Sequence, residues 1–281
     1  METRAERAEL GGVGREGGTL FRASVFLFSI ACYGAFLLVF LYLLAFLGNL
    51  QVTALADAVP ALKAWVPRSI DLGRDMGSLA SAFAIDAGLI ALFGLQHSVM
   101  ARPGFKRAWT RIVPKEAERS AYVLVASAVL VILLWQWRPI PTPVIWQADT
   151  AWTAAIGWSV MGLGVAILLW ATFLIDHFEL LGLRQGWDTL RGQPLHSPAF
   201  VTPWLYKLVR HPQYLGWLMI FWGTPTMTAG HLLFAAGMSV YIGIAMRFEE
   251  RDLSRHIGEP YRRYREEVPA LVPLPGRRRH G

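Results

Sequence analysis

Apolar residues in this chain come in long runs rather than in alternation. Ser24 to Leu47 is 24 residues without a charge. At about 1.5 Å rise per residue, that length crosses a bilayer. Leu79 to Met100 is a second run, interrupted by Asp86 and His97. Ser120 to Trp137 is a third and Thr153 to Ile175 a fourth. A fifth runs from Tyr214 to Met246, broken by Gly223-Thr224-Pro225-Thr226-Met227-Thr228-Ala229-Gly230. Each half of it is shorter than a comfortable span, so the pattern predicts a helical hairpin or a strongly broken helix. The expected fold is all-α: a polytopic membrane helical bundle with four long transmembrane helices and that C-terminal broken element. A polar tail over residues 1–22, a transmembrane domain over 23–253 and a C-terminal tail over 254–281 complete the organisation.

Composition supports the membrane reading. Hydrophobic residues make up 54% and charged residues 17%, where a soluble domain carries about a quarter charged. Lys and Arg divide unevenly when alternate loops are assigned to one side with both termini: 23 against 4. The positive-inside rule then puts both termini in the cytoplasm. That needs an even number of crossings, and the turn at 223–230 supplies it. The net charge of +7 suits an anionic bilayer surface, and no basic helix or aromatic module points to nucleic acid. The loop 48–78 reads as a short amphipathic segment outside. The loop 186–209, with Trp187, Trp204 and three prolines, reads as interfacial and as a possible lid. Cys32, the single cysteine, lies in an apolar run and reads as a small core residue. The first apolar run is too long for the core of a cleavable signal peptide. Residues 12–17 fit GxGxxG but follow no strand, and no repeat of 20 to 50 residues occurs.

Ionisable residues at membrane depth are costly and mark function. Here most gather at one level. His97 ends the second run on the inside; Asp176, His177 and Glu179 end the fourth. Arg210 and His211 open the broken element there, and Arg247, Glu249 and Glu250 close it. Pro212 suits a first helical position, and the free N–H groups of such a turn favour an anion. Carboxylates at the returning end suit a pair of hydroxyls. One end prefers a carboxylate and the other a diol, and an amino-acid nucleoside such as S-adenosylmethionine carries both. Asp86, toward the outer side, is expected to pair with a neighbouring helix or line a polar cavity. His231 is expected to be exposed at the turn, and His196, His256 and His280 to lie in loops or tail. Gly157, Gly162 and Gly164 are expected to let the fourth helix pack closely.

The order Arg210-His211-Pro212-Gln213-Tyr214-Leu215-Gly216, then Glu249-Glu250, then Tyr261-Arg262-Arg263-Tyr264 resembles the C-terminal signature of isoprenylcysteine carboxyl methyltransferase-like membrane enzymes. Gln96-His97-Ser98 and Asp176-His177-Phe178-Glu179 resemble the methanethiol S-methyltransferases more narrowly. They are also similar to NnrU-like proteins and their haem-bearing kin. The resemblance implies S-adenosylmethionine as cofactor. It assigns His211 and Tyr214, with Arg210 beside them, to the methionine end and Glu249 or Glu250 to the ribose. Tyr261 and Tyr264 go to the adenine or to the closing tail.

The resemblance thus implies S-methylation of methanethiol or a similar small volatile thiol, by an integral protein of an inner or plasma membrane. Such an enzyme must align thiolate, methyl and sulfonium sulfur. It must also favour the thiolate, because cysteine thiols titrate near ~8.5 and simple alkyl thiols higher. A buried histidine–carboxylate pair could take that proton. His177 with Asp176 is the first candidate and His97 the second, with Glu179 orienting or substituting. Two alternatives remain at this point. One is a lipid or prenyl-protein carboxyl methyltransferase. The other is a haem-binding membrane protein or isomerase with His97 and His177 as axial ligands.

Overall fold

The computed structural model describes residues 18–53, 57–195 and 201–273. The GxGxxG stretch, His196, the arginine run at 277–279 and His280 lie outside them. Among the described residues, five helices are long and apolar enough to cross a membrane. They are α1 (Thr19–Leu47), α2 (Leu79–Met100), α3 (Glu118–Gln136), α4 (Ala151–Ile175) and α7 (Ala229–His256). Between α4 and α7 lie the amphipathic α5 (Leu183–Arg191) and the short α6 (Pro212–Trp222). A final helix, α8 (Glu259–Glu267), follows α7.

The first four predicted runs are single helices and the fifth is two. Its second limb, α7, is not short as expected but at 28 residues long enough to cross, because the helix continues through the largely polar residues 247–256. Their lipid-facing sides carry large exposed apolar residues such as Leu38, Phe83, Leu92, Ile132, Leu163 and Val240. In water such surface would be a liability; in a bilayer it is the solvent-facing side. This is an integral membrane protein. Inside the bundle, Phe40, Phe46, Leu133, Trp137, Ile220 and Phe234 form one contiguous core.

The broken fifth element is α6 and α7. Its two limbs are splayed: α6 packs mainly on α4, and α7 mainly on α2. Gly164 and Gly216 make the first contact possible. A Cβ on either would sit 2.8 Å from the other's carbonyl oxygen, so the α4 and α6 backbones touch directly. Gly157 serves the same end beside Thr224 and Pro225, whereas Gly162 has open space beside it. The turn between the limbs contains strand β2 (Thr226–Thr228), antiparallel to β1 (Val144–Gln147). This two-stranded patch is the small departure from an all-α chain.

Residues 48–53, 66–72 and 137–150 close one face of the bundle together with this turn. Ile70 N donates to Phe46 O at 3.1 Å, and Trp137 Nε1 donates to Ile70 O at 3.1 Å. Asp71 accepts from Asn49 Nδ2 at 2.5 Å and from Thr228 Oγ1 at 2.6 Å. Asp86 is fully buried and accepts the Arg138 backbone N–H at 2.9 Å. Its partner is thus a loop, not a neighbouring helix. His231 is not exposed: it is fully buried, and its Nε2 lies 2.9 Å from Phe221 O. The reason is that the turn folds under the 137–147 segment, where Gly230 N donates to Ile140 O. His256 is the last residue of α7 rather than a loop residue.

Candidate functional site

The opposite face gathers the ends of α2, α4 and α7 with the start of α6. Two sets of side chains meet there.

The first set joins the two limbs of the broken element. Pro212 occupies the first position of α6, as expected from its missing N–H and preset φ. In that first turn the N–H groups of Gln213 and Tyr214 have no carbonyl one turn back to reach. His211, just before the helix, is buried. Its Nε2 lies 3.0 Å from Glu250 Oε1, a residue 39 positions later in the chain. The same oxygen accepts Arg210 Nε at 2.9 Å and Arg210 Nη2 at 2.6 Å. Beside it, Tyr214 Oη donates to Glu249 Oε2 at 2.5 Å, with the Tyr214 ring stacked on His211 at 5.3 Å.

The tail then folds over this start. Arg210 N donates to Pro269 O and His211 N to Ala270 O. Arg210 Nη1 donates to Arg265 O at 2.9 Å and also to Val268 O. These bonds use the guanidinium within the protein. Arg210 therefore holds Glu250 and the tail in place. Tyr261 is buried, and its phenol is pushed up to about 12 by burial and by the nearby Glu250. Tyr264 donates to Tyr206 O at 2.5 Å. Burial raises the phenols of both Tyr264 and Tyr206, so all three stay neutral donors.

The second set surrounds the two histidines. At Asp176 the chain leaves α4 with φ +122°, a conformation that costs a non-glycine residue energy. The side chain secures that bend: Oδ1 accepts Glu179 N at 3.0 Å and Oδ2 pairs with Arg184. The bend turns His177 back beneath its own helix. His177 Nδ1 lies 2.9 Å from Thr172 Oγ1, and Nε2 lies 3.0 Å from Tyr33 Oη on α1. Its ring stacks on Phe173 at 4.3 Å. Burial holds its pKa below the ordinary value, and Asp176 only partly offsets this. Asp176 and His177 are thus neighbours with separate bonding partners, and Glu179 interacts electrostatically with Arg119 of α3. Nearby, Gly182 adopts φ +87° against Ser120, where a Cβ would meet Oγ at 2.5 Å. Only glycine meets both demands.

His97, near the end of α2, has a different setting. Its Nε2 lies 2.8 Å from Tyr122 Oη on α3, and its Nδ1 is buried with no hydrogen-bond partner among the described residues. Its ring stacks on Phe93 and stands edge-on to Tyr241 of α7 at 6.3 Å. Tyr241 lies about two helical turns before Glu249 on α7, so this histidine lies on the side of the Glu249 and Tyr214 pair. Arg102 just beyond α2 pairs with Asp252 of α7 at 2.7 Å and fixes the two helix ends.

The structure therefore brings together Arg210, His211, Tyr214, Glu249, Glu250 and Tyr261, with Tyr264 bracing the tail. It keeps His177 and Asp176 on separate partners. Sequence reasoning passed over Tyr33, Thr172, Tyr122, Tyr206 and Tyr241. For Tyr33, Thr172 and Tyr241 the available signal was a hydroxyl inside an otherwise uncharged run; Tyr206 lies in the connection between α5 and α6 and gave none.

Residues 87–267 match the family described as NnrU protein. A methanethiol S-methyltransferase of Bradyrhizobium diazoefficiens is 48% identical over 255 residues, covering 90% of this chain and 91% of that protein. The methanethiol S-methyltransferase of Mycobacterium tuberculosis is 44% identical, covering 89% and 96% of the two chains. Nurim of Danio rerio is 32% identical over 205 residues, covering 70% and 74%. No solved structure matches.

Proposed function

This chain belongs to the NnrU protein family, and we propose that within it the chain is an S-adenosylmethionine-dependent S-methyltransferase acting on methanethiol or a similar small thiol. The observation that carries this reading is the meeting of His211 and Tyr214 with Glu249 and Glu250 at the start of α6. The names of the relatives, at 42% to 48% identity over most of the chain, support the thiol as acceptor.

The side chains present fit such a cofactor. The start of α6, with its N–H groups and the buried His211, suits the carboxylate of the methionine part. Glu249 or Glu250 suits the ribose hydroxyls, and Tyr261 the adenine. Tyr264 and Arg210 hold the tail that closes the site. Bound there, S-adenosylmethionine supplies an electrophilic methyl group on sulfonium sulfur. The protein itself must orient the acceptor, exclude water and take up the thiol proton. Apolar surroundings suit a volatile substrate that partitions into lipid.

The haem reading fits the donor set less well. Both ring nitrogens of His177 are already bonded within the protein, which leaves no free lone pair for an axial bond. The cytoplasmic placement of both termini is part of the proposal. Impermeant thiol labelling of a cysteine at Ala270 in intact cells should give no signal; labelling from outside would reverse the orientation.

Calorimetry on detergent-solubilised protein tests the cofactor. S-adenosylmethionine should bind, and headspace analysis should then detect dimethyl sulfide when methanethiol is added. Folded protein with no affinity for the cofactor would overturn the proposal.

A further inference from the structure

His97 and His177 stand at the same end of the bundle, and each has a tyrosine hydroxyl on Nε2. Their second nitrogens differ. The Thr172 hydroxyl donates its one proton to Leu169 O at 2.7 Å. It can then only accept from His177 Nδ1–H, so His177 Nε2 is the acceptor and Tyr33 donates to it. Every site on that ring is satisfied, and the ring is packed against Phe173. His177 has no lone pair to offer a substrate.

His97 Nδ1 is buried and meets no hydrogen-bond partner among the described residues. Two tautomers are available. If Tyr122 donated to Nε2, Nδ1 would carry a buried N–H with no acceptor, the rarer and costlier kind of orphan. If instead Nε2–H donates to Tyr122 Oη, the Tyr122 proton can reach His97 O at 3.4 Å. Nδ1 then presents a lone pair, and an unfilled acceptor is the milder omission.

Other buried polar atoms lack partners as well, Asp86 Oδ2 and His231 Nδ1 among them. Those two lie on the opposite face, beside the loops that close it. His97 is set apart by its neighbours. Tyr122 and Arg119 face it from α3, and Tyr241 from α7. Tyr241 in turn interacts with Glu249.

We propose that His97 Nδ1 is the proton acceptor for the thiol, and that Tyr122 is the positioning residue that holds His97 in the Nε2–H tautomer. This deepens the methyltransferase reading and rests on it. The thiol S–H bond breaks, its proton passes to Nδ1, and the sulfur keeps the electron pair as thiolate. The resulting imidazolium donates from Nε2 to Tyr122 Oη, then loses the added proton to solvent. His177, closed by Tyr33 and Thr172, serves to anchor the α4 end to α1.

The tautomer can be read without any turnover. Selective ¹⁵N-histidine labelling of the detergent-solubilised full chain, assigned with His97→Gln, should show His97 protonated at Nε2 and bare at Nδ1. Tyr122→Phe should lose that bias while keeping affinity for S-adenosylmethionine. A bare Nε2 in the wild-type protein would overturn the assignment, whatever the reaction. In turnover, His97→Gln should lower kcat about 10²–10⁴-fold, with partial rescue at alkaline pH and cofactor affinity retained. Tyr122→Phe should lower kcat more than it changes KM. Wild-type kcat in folded His97→Gln would also overturn the proposal. Cofactor binding by calorimetry separates these outcomes from failure of the methyltransferase reading itself.

Discussion

The two faces of the bundle carry similar residues for different ends. Each has carboxylates, buried histidine and tyrosine or threonine hydroxyls. On the face closed by β1 and β2, the polar groups work mainly as fasteners. Asp71 joins the end of α1 to the start of α7 through Asn49 and Thr228, and Asp86 receives the chain as it leaves α3. On the other face, groups from α2, α3, α6 and α7 converge on one region, and the buried Nδ1 of His97 there has bonding capacity left over. Buried polar residues in a membrane protein therefore do not mark a functional site by burial alone. Convergence from several elements, with bonding capacity left over, is the better sign.

The largest expected effect lies on the convergent face. Glu250→Ala removes the acceptor shared by Arg210 and His211 and leaves the Arg210 charge without its carboxylate. Three hydrogen bonds to one carboxylate are lost, each worth about 1.5–3 kcal/mol. Calorimetry should show S-adenosylmethionine affinity falling more than tenfold, and limited proteolysis should show cleavage near residues 265–270. Wild-type affinity in this variant would move the cofactor away from the two limbs and erase the contrast between the faces.

A middle effect lies on the fastened face. Asp71→Ala removes two hydrogen bonds to a carboxylate, each worth about 1.5–3 kcal/mol. The melting temperature in detergent should drop, while the cofactor affinity of the protein that remains folded stays unchanged. A matching loss of affinity would mean that the two faces are coupled and that the fastener reading is too simple.

The smallest effect is a pH dependence from His177. Its folded pKa is held below its ordinary value of 6.5 by burial. Between the folded and unfolded values the unfolded chain binds more protons, so unfolding takes up a proton there. Stability from this group is present above the unfolded value and declines as pH falls toward the folded one. Melting temperature should therefore fall on acidification below about 6.5, and the slope should flatten in His177→Gln. An unchanged slope in that variant would assign the dependence to other groups.

The spans were legible because hydropathy over a bilayer thickness is a strong, local signal. The break at 223–230 was legible for the same reason, since glycine and proline interrupt it. The meeting of His211 with Glu250 could be expected once the limbs were read as a returning pair. The role of Arg210 could not: a cation beside a predicted anion site reads as a ligand contact. Here it is used by carbonyls of a tail more than fifty residues away. His231 was misread because a turn in a membrane protein is expected to meet water, and a second loop covers this one.

The sequence by itself determined the number of apolar elements, the uneven charge between their ends and the family motifs. Each depends on residues close together in the chain. Tertiary structure alone decided which face of each helix looks inward. A helix apolar on every side has no pattern to announce that choice. Contacts such as the Gly164–Gly216 approach set it. Only then do Tyr33 and His177, 144 positions apart, close one ring, while Tyr122 leaves one nitrogen of the other histidine open.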